Sequence, residues 1–157
     1  MAKANSNNNK KKGVQPSKGG IAYVALLRTA DKMKTYFETI IAPFDITGQQ
    51  YNVLRILRGA EPDGLPTLTI AERMIERAPG ITRMIDRLEA KGLVVRELRP
   101  NDRRCVHCRI TEKGLNLLEL LDEPVGEKNE AFRGLNEAEL EQITALLEKV
   151  WKALEAN

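Results

Sequence analysis

Arg83 and Arg87 stand four residues apart, so on a helix both guanidinium groups leave the same face, where each can reach a guanine edge or a phosphate. Ahead of them Ala78, Pro79, Gly80 and Thr82 are small, as the leading end of a helix entering a groove about 12 Å wide must be. A solvated helix face with ordinary charges accounts for the same spacing. Asp102 and Arg104 lie two apart, on one side of an extended backbone, where the carboxylate can hold the guanidinium in a fixed direction suited to a narrow, negative minor groove. The alternative there is a surface ion pair worth about 0–1 kcal/mol. Cys105-Val106-His107-Cys108 offers thiolates and an imidazole, which zinc prefers, but in a strand residues 105 and 108 point to opposite faces. Ordinary buried or half-buried cysteines are expected, and no metal ligand is assigned. His107 is the single histidine, which removes most nucleophile and acid–base arrangements. No Gly-rich phosphate loop, metalloprotease helix motif or dinucleotide fingerprint is present, so neither a catalytic residue nor a cofactor is expected.

These residues need particular elements to hold them. Ile81, Met84, Ile85 and Leu88 recur at helical spacing and bury one stripe, turning Gly80, Thr82, Arg83, Asp86 and Arg87 outward, until Gly92 ends the helix. Pro79 is expected in its first turn. Before it, Ile70, Ala71, Met74 and Ile75 line a short helix capped by Thr67 or Thr69. After it, Leu93 to Arg99 and Cys105 to Ile110 read as strands of a hairpin whose tip is Pro100-Asn101-Asp102-Arg103-Arg104. Two short helices and a tight turn, followed at once by a charged hairpin, form a helix-turn-helix with a wing, the second helix entering the major groove.

The flanks read as helices. Val24, Leu27, Met33, Phe37, Ile40 and Ile41 mark one that Pro43 stops near residue 42. Thr47 with Gln50 makes a capping box, and Ile46 with Tyr51 the matching staple, for a helix from Gly48 to about Gly59; residues 59–66 are expected as a loop. Thr111 caps a helix through Leu115, Leu118, Leu121 and Val125, with Pro124 and Gly126 as weak points, and Asn136 with Glu139 opens a last one carrying Ile143, Leu147, Val150 and Leu154. The fold class expected is mainly α with a small β-hairpin wing (α+β): a disordered basic tail over 1–20, then one domain over 21–157. Within that domain 66–110 form the winged helix-turn-helix, with helical regions over 21–65 and 111–157.

Charge is distributed in blocks. Residues 1–20 carry five Lys and no acid, 66–114 carry eleven bases against seven acids, and 115–157 carry four bases against ten acids. A basic middle joined to acidic helices suggests a polyanion-binding module attached to helices with another task. Lys10, Lys11 and Lys12 lie in the tail, where solvation and nonspecific phosphate contact are the two readings. The longest apolar run, Ile21 to Leu27, is far short of the roughly 20 residues of a membrane span, and no signal-like segment precedes it. With two cysteines only, a reducing, cytoplasmic location is expected.

The run Ile81-Thr82-Arg83-Met84-Ile85-Asp86-Arg87-Leu88-Glu89-Ala90-Lys91-Gly92-Leu93-Val94, then Arg99-Pro100-Asn101-Asp102-Arg103-Arg104 and Ile110-Thr111-Glu112-Lys113-Gly114, resembles the recognition helix, wing and exit helix of the MarR (multiple antibiotic resistance regulator) family, a resemblance covering about residues 21 to 154. It implies a winged helix in a two-fold homodimer built from the first and last two helices, acting as a repressor or less often an activator. The implied partner is double-stranded DNA, contacted by Pro79, Gly80, Thr82, Arg83 and Arg87, by the Asp102/Arg104 pair and by Arg103 on phosphate. A small aromatic effector is implied as well, with no lining residues assigned. The chain departs from the family pattern at Ala78-Pro79-Gly80, where Ser or Thr is common, and it lacks the N-terminal cysteine of the peroxide-sensing branch.

Two other classes compete with a DNA-binding regulator. A dimeric interaction module that has lost DNA affinity would show flat salt dependence, against which the basic block and the Asp102/Arg104 pair argue. A thiol- or metal-responsive regulator would work through Cys105 and Cys108.

Overall fold

Reciprocal capping fixes where the second helix begins. In the computed structural model, which describes residues 15–76, 78–99, 102–126 and 130–156, with the backbone only at 99 and 102–105, the Thr47 hydroxyl accepts the Gln50 amide at 3.3 Å and the Gln50 side chain accepts the Thr47 amide at 3.1 Å. This box opens α2 (Gly48–Arg58) where expected. The preceding α1 (Lys18–Ile41) runs into a 3-10 turn at Ala42–Phe44 that contains Pro43. It begins three residues before the apolar periodicity because the Ser17 hydroxyl accepts the Gly20 amide at 3.0 Å. Of the expected tail, residues 1–14, with Lys10, Lys11 and Lys12, lie outside the described residues. Contacts divide the chain into two units, Met1–Lys34 and Thr35–Asn157. In the first, Ile21, Tyr23, Val24, Leu26 and Leu27 of α1 are exposed.

The second unit holds the winged region. β1 (Leu65–Pro66), β2 (Val94–Arg99) and β3 (Asp102–Ile110) form an antiparallel sheet in the order β1-β3-β2. The expected loop over 59–66 therefore ends in a two-residue edge strand, a place where Pro66 is tolerated because its missing N–H takes nothing from the ladder. Gly64 makes the approach possible at φ +63°, where a Cβ would stand 2.4 Å from the Cys108 carbonyl oxygen. β3 begins at Asp102 rather than Cys105, so the backbone of residues 102–104 belongs to the strand and not to the hairpin tip. The ladder slips between Leu98 and Arg99.

Between the strands lie α3 (Thr67–Arg73) and α4 (Ile81–Ala90). Neither expected threonine caps α3: Pro66 occupies the cap without a side-chain bond, and the Thr67 hydroxyl sits 3.6 Å from the Cys108 sulfur instead. The helix stops at Arg73, and the Ile75 amide donates to the Asn52 side chain at 3.1 Å. Ile75, expected on the inner side, is consequently 85% exposed, while Ile70 is fully buried. Pro79 falls in the turn before α4 and not in its first turn, since Gly80 is the cap residue.

Ile85 and Leu88 of α4 enter one core with Val53, Leu54 and Leu57 of α2 and with Leu118 and Leu121 of α5 (Glu112–Val125). Thr111 caps α5 by accepting the Gly114 amide at 3.2 Å. Pro124 lies in its last turn, just before Gly126 ends it. The final helix, α6 (Glu137–Glu155), opens on the expected Asn136/Glu139 box. Its apolar positions Ile143, Leu147, Val150 and Leu154, together with Trp151, are exposed.

Asp122 on α5 accepts two bonds from Arg58 on α2, at 2.7 and 2.9 Å. The hydrogen bonds from Arg58 hold its carboxyl below the ordinary carboxylate value. The folded state therefore binds this proton less readily than the unfolded one. The stabilisation is complete above the unfolded pKa and is lost as pH falls through the folded one. Both groups are partly solvated, which limits the pair to about 1 kcal/mol. Asp122→Asn is expected to lower the urea midpoint at neutral pH by a corresponding amount and to converge with wild type in acid. A midpoint difference that is the same at every pH would contradict this.

Candidate nucleic-acid interface

The turn and first residues of α4 bring together most of the side chains singled out by spacing. Thr82, Arg83 and Arg87 are exposed on α4, with Pro79 and Gly80 exposed just ahead of it. A Cβ on Gly80 would meet nothing within 4 Å, so packing in the chain does not require glycine there. Gly80 caps the helix without a side-chain bond, and the first turn contains no acid to neutralise the helix terminus. Arg83 and Arg87 form no ion pair or side-chain hydrogen bond among the described residues. They border an open groove of about 420 Å³ whose other wall is Thr47, Gln49 and Gln50 at the start of α2. Thr47 and Gln50 are legible in the sequence as a cap, but their place beside the start of α4 depends on tertiary packing.

The acid on the outward face of α4 is itself paired. Asp86 is engaged at 2.6 Å by Arg96 of β2, whose other guanidinium nitrogen meets Glu89 at 2.5 Å. Partial burial works against the Arg96 charge, and the hydrogen bonds to Asp86 and Glu89 outweigh it, leaving its pKa above the ordinary guanidinium value. Spacing does not single out Arg96. It is one arginine among several in a strand, and its partners lie seven and ten residues away on another element.

The exit motif has a structural task. The Thr111 hydroxyl donates to the Gly92 carbonyl at 2.7 Å, Lys113 donates to the Lys91 carbonyl at 2.8 Å, and Lys91 in turn engages Asp45. These bonds tie the end of α4 to the start of α5 and to the turn after α1. Arg109 on β3 is held by Glu97 at 3.1 Å and Glu61 at 3.6 Å, which places it among the scaffold charges.

The side chains of Asp102, Arg103, Arg104 and Cys105 lie outside the described residues, so the wing pair and the phosphate contact expected there have no geometry to report. Cys108 is fully buried against Thr67. His107 points a ring nitrogen at the Asp63 carbonyl, 3.2 Å away. Among the described residues no three His, Cys, Asp or Glu side chains gather where a metal could sit, and no helix is long and apolar enough to cross a membrane.

Comparison with known proteins converges on one family. The family model described as MarR family matches residues 46–106. The HTH-type transcriptional regulator FarR of Neisseria gonorrhoeae is 32% identical over 142 residues, covering 88% of this chain and 96% of that protein. A crystal structure of a MarR transcription factor from Planctomyces limnophilus shares 44% identity over 84% of this chain and 96% of that one, with a TM-score of 0.64. A mutant MarR from E. coli complexed with operator DNA superposes with a TM-score of 0.69 at 29% identity, covering 83% of this chain and 94% of that one. The chain belongs to the MarR family of winged-helix transcription regulators.

Proposed function

We propose that the protein is a homodimeric, sequence-specific regulator of double-stranded DNA in the cytoplasm, a repressor and not an enzyme, which places α4 of each copy in the major groove. The observation that carries this is the pair of guanidiniums, Arg83 and Arg87, that have no ion-pair partner among the described residues, beside an acid-free helix start with no side-chain cap. Side chains so placed reach base edges and phosphates. Pro79, Gly80 and Thr82 supply close approach. Asp102 and Arg104 direct the wing into the flanking minor groove and Arg103 meets phosphate, a reading supported by their types and spacing.

Dimerisation is supported by the exposed apolar stripe of α6 and by that of α1, each too extensive for a polar surface to dilute. A two-fold dimer presents its recognition helices about 34–36 Å apart, to successive turns of a pseudo-palindrome. Bound across a promoter, it would exclude other proteins from that DNA, and a small aromatic effector would release it. Selection from a randomised duplex pool tests the proposal. Enrichment of a two-fold symmetric site with half-sites about 10–10.5 base pairs apart is expected. Failure to enrich any sequence would contradict it.

A further inference from the structure

The hairpin leaves its support part of the way along. Directly opposed residues share a face, and that face alternates every second residue. On the inward face the opposed pairs are Val94 with Ile110, Arg96 with Cys108, and Leu98 with Val106. The first pair is buried and Cys108 is fully buried, whereas Leu98 is 60% and Val106 43% exposed. Apolar packing beneath the wing therefore ends at the Arg96 position. One step further the ladder slips, between Leu98 and Arg99.

At that last supported position stands a residue that reaches across to α4. Arg96 forks onto Asp86 and Glu89, donates its own backbone amide to Glu89 at 3.2 Å, and donates to the Thr82 carbonyl at 3.4 Å. Among the described residues, each ion pair between the hairpin and α4 runs through it. Asp86 and Glu89 are three apart, so the planar fork spans nearly a full turn of the helix and resists both sliding and rotation. Its other effect is to offset part of the negative charge of the two carboxylates nearest the proposed DNA face.

We propose that Arg96 is a positioning residue that locks the β2–β3 wing to the recognition helix at one angle, so that helix and wing engage a single duplex together. This rests on the DNA-binding reading above. Holding two contact elements in register removes an ordering cost that binding would otherwise bear.

The test compares wild type, Arg96→Gln and Glu89→Gln on the duplex that wild type enriches from the random pool, with protein concentrations set to give equal occupancy. Dimethyl sulfate at guanine N7 reads the major groove, and hydroxyl-radical cleavage reads the flanking minor groove. Arg96→Gln is expected to bind about tenfold more weakly, keeping guanine protection and losing flanking protection. Glu89→Gln, which retains the Asp86 bond, should fall between. Unchanged flanking protection in the variants would overturn the proposal, because a residue that merely stabilises the fold would alter affinity without altering the footprint. Parallel loss in both grooves, or no flanking protection even by wild type, would overturn it too. Should Arg96→Gln not fold, Glu89→Gln decides by the same criterion. Failure of wild type to enrich any duplex would overturn the DNA-binding reading and this one with it.

Discussion

Replacing Arg83 and Arg87 together by Ala is expected to weaken binding to the enriched duplex by about a hundredfold or more, since one good contact to a base edge is worth roughly 1–3 kcal/mol and 1.4 kcal/mol is tenfold. Both side chains are exposed and form no ion pair among the described residues, so the fold should hardly notice their loss. An unchanged melting temperature beside collapsed affinity separates recognition from folding. The single variants then assign each residue. A base-reading arginine, once removed, relaxes preference at one position of the site. A phosphate-binding one weakens every sequence alike and makes the salt dependence shallower by about 0.9 in the log–log slope. Full affinity in the double variant would remove α4 from the interface.

A large stability effect is expected at Gly114. A Cβ there would stand 2.5 Å from the Leu93 carbonyl oxygen and 2.6 Å from a side-chain carbon of Ile110. Neither neighbour is free to yield. The carbonyl accepts the Thr111 amide at 3.1 Å, and Ile110 is buried in the core. Gly114→Ala should therefore cost about 3 kcal/mol, at the upper end of what overpacking does. In a chain of this length that lowers the thermal midpoint by roughly 6–12 °C. Gly92→Ala is the control. Gly92, just after α4, has φ +70°, but a Cβ would meet only Cδ of Lys113, at 3.9 Å. Its cost is backbone strain of about 1 kcal/mol. A Gly114→Ala midpoint no lower than that of Gly92→Ala would mean that the junction between β3 and α5 can rearrange.

Features written within a few residues of one another were the legible ones. The boxes at Thr47/Gln50 and Asn136/Glu139, the cap at Thr111 and the buried stripe of α4 appear as expected because each is a local bond or a strict periodicity. The winged-helix plan follows from their order along the chain. What eluded the sequence depends on tertiary partners. β1 is a strand only because β3 lies beside it, Thr67 fails to cap because Pro66 holds the cap position and the hydroxyl faces Cys108, and Ile75 is exposed because its helix ends early. Within the candidate site the spacing of Arg83 and Arg87 was visible. The pairing of Asp86 with Arg96 was not, since nothing local links a strand arginine to an acid ten residues before it.

The central claim, sequence-specific binding of duplex DNA, is tested most directly by a fluorescence-anisotropy titration of wild type against the enriched duplex and a shuffled duplex of equal composition, between about 50 and 200 mM salt. The account predicts tight binding to the enriched sequence, at least about a thousandfold weaker binding to the shuffled one, and affinity for both that falls steeply as salt rises. Equal, weak and salt-independent binding to the two duplexes would contradict it.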